Sequence, residues 1–283
     1  MSIKDYELIQ EIGRGAFGTV YKATRTDGKV IALKVIDIPA IEPVKKEKLI
    51  ELTKKEVEYL KTLSLPQCNP FTICYYDSHY DSEKGQFLIE MEYVEGKDLG
   101  EFIKELKTIK SPEMINYYIL AIAKDISEGL KYIHSKNIIH NDIKLENIII
   151  DESNTPRIID FGLACTMSFN TLIGKYCRAN GGTPWYLSPE SVESKIKTPA
   201  VDMWALGMLL YRLATGKFPY TLRRQLIPEL FQKIKNTEPY ILETDNKQLN
   251  TVVNNLLVRN IMNRWKTNDV LIELRTISKP EEM

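Results

Sequence analysis

His140-Asn141-Asp142-Ile143-Lys144-Leu145-Glu146-Asn147 is followed, thirteen residues beyond Asn147, by Asp160-Phe161-Gly162 behind the apolar pair Ile158-Ile159. A carboxylate such as Asp142 can orient a hydroxyl and accept its proton. Asn147 and Asp160 offer the oxygen ligands that Mg²⁺ prefers. Lys144, two residues past Asp142, can bring positive charge to a phosphate. Each residue alone is compatible with a turn. The ordered set, H-x-D-x-K-x-x-N and then D-F-G, is much more specific, and phosphoryl transfer needs those parts.

Upstream, Gly13-Arg14-Gly15-Ala16-Phe17-Gly18-Thr19-Val20 reads G-x-G-x-x-G-x-V. Glycines let a backbone turn tightly and approach phosphate closely. The same pattern opens dinucleotide folds, but there it leads into a helix. Here Tyr6 to Ile12 and Thr19 to Thr24 both read as strands, so the glycines fall in a hairpin. The next strand, Val30 to Ile36, contains Ile31-Ala32-Leu33-Lys34. A lysine in a buried strand is costly unless it meets an anion. Glu56, on a helix expected over Lys45 to Leu63 with Leu49, Leu52, Val57 and Leu60 as its apolar positions, is one carboxylate for it. Glu58 is the alternative, facing another side of the helix. The bland reading is a snorkelling Lys34 and a solvated Glu56.

The remaining chain fits this division. Asp27-Gly28 marks a hairpin turn, and Pro39 and Pro43 mark a loop. Ile73 to Ser78 and Phe87 to Tyr93 are further strand segments. After Gly96 the pattern becomes helical. Ser111-Pro112 supplies an N-cap and a first-turn proline. Ile115, Ile119, Ile122, Ile126, Leu130 and Ile133 then form one buried stripe. Val201 to Thr215 is apolar all round, as a central helix would be, with Gly216 as its stop. A β-rich lobe over 1–93, a hinge at 94–97 and a helical lobe over 98–283 are expected, with the ligand site in the cleft at the join.

The composition excludes several classes. The 283 residues carry 38 basic and 38 acidic side chains, with a net charge of zero. That balance lacks the basic excess of nucleic-acid binders. No apolar run approaches the ~20 residues of a membrane span. The charged start, with Lys4, Asp5 and Glu7, does not resemble a signal peptide. A cytoplasmic location is expected, with nuclear access left open. Cys68, Cys74, Cys165 and Cys177 show no CxxC pairing, and free thiols are expected.

In motif order and over nearly its whole length, the sequence resembles eukaryotic-type protein kinases: the glycine loop, Ala-x-Lys, the helix glutamate, H-x-D, D-F-G and Ser188-Pro189-Glu190 in place of A-P-E. The resemblance implies a bilobal α+β fold, with a small antiparallel β-sheet lobe carrying one helix and a large, mainly helical lobe. It implies ATP and Mg²⁺ as cofactors, with Asn147 and Asp160 on the metal. Ile12, Gly13, Gly15, Gly18 and Val20 would cover the nucleotide, with Ala32 above and Ile149 below the adenine. Lys34 and Glu56 would serve its phosphates. Met91-Glu92-Tyr93-Val94 resembles the hinge that hydrogen-bonds adenine, with Met91 as gatekeeper, and Asp98 falls at a ribose-binding position. Asp142 and Lys144 would act in catalysis, with Thr183 bonded to both. Asp202 resembles the buried aspartate of the central helix, and Arg264 the arginine that pairs with Glu190.

The Asp-Ile-Lys-Leu-Glu-Asn loop and Gly182-Thr183-Pro184-Trp185-Tyr186 resemble the serine/threonine branch, which implies protein substrates with such hydroxyls. Three positions depart from the pattern. Asn141 replaces the arginine of H-R-D, Ala179 stands where an activating phosphorylated residue is common, and Arg212 stands where arginine-directed kinases carry glutamate. The main alternative is a pseudokinase scaffold that binds nucleotide without efficient transfer; a small-molecule kinase of related fold is another. Oligomeric state and physiological substrate are not indicated.

Overall fold

The computed structural model describes residues 3–15, 18–38, 42–172, 174–223 and 226–280. The expected Pro39 loop position and the Ala16-Phe17 tip of the glycine loop lie outside them. The chain divides into two compact units, Met1–Glu95 and Gly96–Met283.

The first unit is built on five antiparallel strands. They are β1 (Tyr6–Gly15), β2 (Gly18–Arg25), β3 (Val30–Asp37), β4 (Tyr75–Asp81) and β5 (Gln86–Glu92), in the spatial order β1-β2-β3-β5-β4. Central β3 is buried from Ile31 to Ile36, which explains its β-branched composition. Ile31, Leu33 and Val35 pack with Tyr6, Ala23 and Leu88 in one core. Helix α1 (Pro43–Ser64) is the one α-helix among the described residues of this unit. It buries Thr53, Glu56, Val57, Tyr59, Leu60 and Leu63. Leu52, expected on the apolar stripe, is instead 45% exposed. Burial starts only at Thr53, so the helix's early turns stand largely in solvent.

The second unit starts with β6 (Gly96–Asp98) and α2 (Leu99–Ile109), then the long α3 (Pro112–Ser135). Ser111 caps α3 by accepting the Met114 N–H, and all six isoleucine and leucine residues of the expected stripe are buried. Short strands follow: β7 (Ile138–Ile139), β8 (Ile148–Asp151), β9 (Pro156–Ile158), β10 (Cys165–Thr166), β11 (Ser168–Asn170) and β12 (Gly174–Arg178). Then come α4 (Pro189–Glu193), β13 (Ile196–Lys197), α5 (Ala200–Thr215), α6 (Ile227–Asn236), α7 (Lys247–Leu256) and α8 (Thr267–Glu273). Helix α5 is buried almost all round and stops at Gly216, whose φ of 73° is the left-handed cap that glycine allows. Buried Arg264 grips Glu190 with two bonds of 2.6 and 3.1 Å. Its ring-stacked position over Trp204 ties α4 to α5.

The cysteine expectation is corrected. Cys68 is bonded to Cys74, and Cys165 to Cys177, with Cα separations of 5.5 and 6.1 Å, inside the range a disulfide spans. Sequence spacing carried no sign of this, because the chain's own folding brings each pair together. For Cys165 and Cys177, β10 and β12 meet in one apolar cluster with Ile139, Met167 and Val201.

Candidate functional site

In the first unit, strand alternation puts Ala32 and Lys34 on one face of β3. Lys34 stands opposite Val20, and Ala32 opposite Met91. Lys34 Nζ lies 2.5 Å from Glu56 Oε1, and both side chains are more than 90% buried. Glu58 is exposed, which decides between the two glutamates. A buried ion pair of this kind barely offsets its own desolvation, so it is weak as a stability device. Its use is to hold an ammonium group at a fixed place.

The glycines of the β1–β2 hairpin divide by cause. Gly18 sits at φ 136°, and a Cβ there would meet Val35 O at 2.4 Å, so the sheet itself demands glycine. A Cβ on Gly15 would meet nothing within 4 Å, and one on Gly13 would only touch Val20 at 3.9 Å. The protein leaves open space at those two positions, and that space suits a close-lying phosphate group. Ile12 beside them is exposed and Val20 half-buried. Met91 and Val94 are buried and Glu92 half-buried. The Glu92 N–H donates to Cys74 O at 2.8 Å, while the backbone of Val94 takes part in no described hydrogen bond. Backbone polar groups at such a position can pair with a heterocycle edge.

In the second unit, three expected residues, Lys144, Asn147 and Thr183, form one hydrogen-bonded cluster around Asp142. Its Oδ1 accepts the Thr183 hydroxyl at 2.7 Å and the Thr183 N–H at 2.9 Å. Its Oδ2 accepts Lys144 Nζ at 2.7 Å and Asn147 Nδ2 at 3.0 Å. Lys144 Nζ also reaches Thr183 Oγ1 at 3.2 Å. The carboxylate's four lone-pair sites are thus all taken.

Asp142 is fixed from behind as well. Its N–H donates to His140 Nδ1 at 3.2 Å, so the proton of that neutral ring sits on Nε2 and points to Ile159 O at 3.0 Å. Asp202, fully buried on α5, accepts the backbone N–H groups of His140 at 3.0 Å and Asn141 at 2.8 Å. His134 Nε2 lies 2.8 Å from the same carboxylate. Burial alone would raise the Asp202 pKa, but its bond to His134 and the Asn141 N–H hold it below the ordinary carboxylate value.

The metal expectation has a fitting donor set. Asn147 is buried and anchored through Nδ2, which also bonds Asp142 O at 2.8 Å. Its Oδ1 takes part in no described hydrogen bond. Asp160 is exposed at φ 60°, a left-handed conformation that Asp tolerates, and its Oδ1 accepts the Gly162 N–H. Among the described residues no three His, Cys, Asp or Glu side chains converge on a point. Asp98 caps α2 by accepting the Glu101 N–H at 2.9 Å, and Ile149 lies half-buried in β8 opposite it.

Three contacts were not read from the sequence. Asn141, at φ 66°, donates Nδ2 to Leu163 O at 3.1 Å, tying the catalytic loop to the chain after Asp160. Ala179 packs against the Cys165–Cys177 cluster. His134 joins Asp202 although it lies on another helix. Only the neutral Asn and Ala at positions 141 and 179 hinted at the first two, and nothing hinted at the third.

The protein kinase domain family matches residues 6–273. The chain is 34% identical over 221 residues, 78% of its length, to the serine/threonine-protein kinase TIO of Arabidopsis thaliana, covering 15% of that protein. It is 32% identical to human NUAK family SNF1-like kinase 2, over 76% of this chain and 32% of the relative. With mouse serine/threonine-protein kinase Nek2 it shares 31% identity, over 82% of this chain and 51% of the relative. The chain therefore spans about half or less of these relatives. The glycine hairpin, the Lys34–Glu56 pair and the Asp142 cluster stand where that match runs, and the chain belongs to the protein kinase domain family, in its eukaryotic-type serine/threonine group.

Proposed function

We propose that this chain transfers the γ-phosphate of Mg-ATP to serine or threonine hydroxyls of other proteins. The observation that carries this is the Asp142–Lys144–Asn147–Thr183 cluster. Asp142 takes the hydrogen of the acceptor hydroxyl as its oxygen bonds phosphorus and the bond to the ADP oxygen breaks. To receive that hydroxyl, Asp142 gives up one of its present bonds, and the Thr183 hydroxyl is an uncharged side-chain donor that can turn away. Lys144 then sets positive charge against the phosphoryl oxygens. Asn147 and Asp160 would hold Mg²⁺, which supplies charge neutralisation across the phosphates. Lys34, positioned by Glu56, would bind phosphate oxygens, and the backbone at Gly13 and Gly15 would admit them closely. A cytoplasmic location belongs to the same proposal, since ATP is supplied there.

Lys34, Asp142, Asn147 and Asp160 are all present, and no observation favours a scaffold without transfer. The test is incubation with radiolabelled ATP, Mg²⁺ and a generic protein acceptor, followed by phosphoamino-acid analysis. Label on phosphoserine or phosphothreonine is expected. Phosphotyrosine as the main product, or no label, overturns the reading.

A further inference from the structure

The two disulfides differ in what can reach them. Cys165 and Cys177 are both buried, in the apolar cluster with Ile139, Met167 and Val201. In the other pair Cys74 is buried, but Cys68 is exposed. Thiol–disulfide exchange begins when a thiolate attacks a sulfur, so access decides which bond opens. The phosphotransfer reading above, on which this inference rests, puts the chain in the cytoplasm. That compartment is reducing, and the disulfides found there are usually transient, catalytic or redox-sensing.

Cys68 and Cys74 lie in the connector between α1, which ends at Ser64, and β4, which starts at Tyr75. Leu65, Pro66, Gln67 and Cys68 run on from α1 in solvent, whereas Thr72, Ile73 and Cys74 are buried ahead of β4. The disulfide ties the exposed limb to the buried one. The buried limb is fastened in turn to the end of β5. Cys74 O accepts the Glu92 N–H at 2.8 Å, and the Cys74 N–H donates to Glu92 Oε2 at 3.4 Å. On the other side, α1 carries Glu56, which holds Lys34. The S–S bond thus links the helix that positions the ammonium group to the strand end that leads to Val94. The other described ties of the connector are hydrogen bonds: Tyr75 N–H to Ser64 Oγ at 2.8 Å, Phe71 N–H to Asn69 Oδ1 at 2.9 Å and Thr72 N–H to Asn69 O at 3.3 Å.

We propose that the Cys68–Cys74 bond is a redox latch on nucleotide binding, closed as the disulfide and loosened as the dithiol. A dithiol reductant opens it. Its thiolate attacks the Cys68 sulfur, and the Cys74 thiolate leaves and takes a proton. The reductant's second thiol then displaces Cys68 as a thiol, and the reductant departs as a disulfide, having given up two electrons and two protons. Hydrogen peroxide closes the latch. One cysteine is oxidised to a sulfenic acid, the other thiol displaces water from it, and two waters are released in all. Linkage is reciprocal, so a nucleotide that binds the disulfide form better also protects that form from reduction.

The test is a titration of the unaltered chain with mixtures of reduced and oxidised dithiothreitol, with and without saturating Mg-ADP. At each step free thiols are alkylated and located by mass spectrometry, and the ADP Kd is measured. Cys68 and Cys74 are expected to be labelled before Cys165 and Cys177. The Kd should rise ~fivefold or more as they are labelled, and Mg-ADP should shift the dithiothreitol ratio at half-reduction by the same factor. Cys68→Ser should show the dithiol-form Kd even under oxidant, which assigns the effect to this bond. Labelling of Cys165 and Cys177 first, a Kd unchanged by reduction, or a Cys68→Ser chain with the disulfide-form Kd overturns the latch; phosphotransfer in the assay above then still stands. A redox-dependent Kd without transfer overturns the phosphotransfer reading and leaves the latch. No ADP binding in either form overturns both.

Discussion

The two units hold their functional groups by opposite means. In the first, an ion pair between β3 and α1, Lys34 with Glu56, stands beside a hairpin whose contribution is mostly open space. In the second, one carboxylate collects four donors, and its backbone is held by His140 and Asp202. The first arrangement is shaped for something that has to arrive. The second is complete without a ligand and has to give up a bond to admit one. Changes in the first unit should therefore act on ligand affinity and local stability, and changes in the second on rate.

The largest expected effect tests the second unit. Asp142→Asn keeps the shape but removes the base and its charge. It should lower kcat by ~10²–10⁴-fold, about 3–5 kcal/mol of barrier, with little change in ATP affinity. Steady-state kinetics beside a nucleotide-binding titration would check it, and an equal loss in both would erase the contrast between the units.

The next effect falls on the first unit. Glu56→Ala removes the carboxylate that lies 2.5 Å from a buried lysine and should destabilise that unit by about 3 kcal/mol. Hydrogen exchange should show faster exchange in β3 and α1, with α3 and α5 unchanged. Faster exchange throughout would mean that the chain responds as one cooperative body.

The smallest expected effect concerns phosphorylation. Asn141 is neutral and bonds Leu163 O, and Ala179 packs against the Cys165–Cys177 cluster. The segment between is held with no phosphate–arginine contact available at either position. Phosphatase treatment, confirmed by mass spectrometry, should leave activity within about threefold, below about 1 kcal/mol. A fall above ~30-fold would reveal a phosphate-dependent element elsewhere in the segment.

What the sequence revealed followed the same division. Asp142, Lys144 and Asn147 were legible because their chemistry requires set residue types at short spacings along one loop, whereas Thr183, 41 residues away, came from the resemblance. The strands and α3 were legible from their apolar periods. Residues paired through tertiary approach were hidden unless the resemblance supplied the pair, as it did for Glu190 and Arg264. Cys165 and Cys177 meet only because β10 and β12 converge, and His134 reaches Asp202 across two helices. Leu52 fitted the α1 period, but a period does not tell how far along a helix its neighbours extend.

The glycines of the β1–β2 hairpin carry a consequence for how this sequence would drift. Gly18 is enforced by the protein's own backbone, so any lineage that keeps the sheet keeps that glycine. Gly13 and Gly15 meet no such demand, and alanine at either would be tolerated by the fold or even favoured, since it reduces the freedom of the unfolded chain. A descendant that stopped using a phosphate ligand would lose Gly13 and Gly15 early while Gly18 persisted. The order of loss within one hairpin would then date the end of the activity, separately from any decay of the fold.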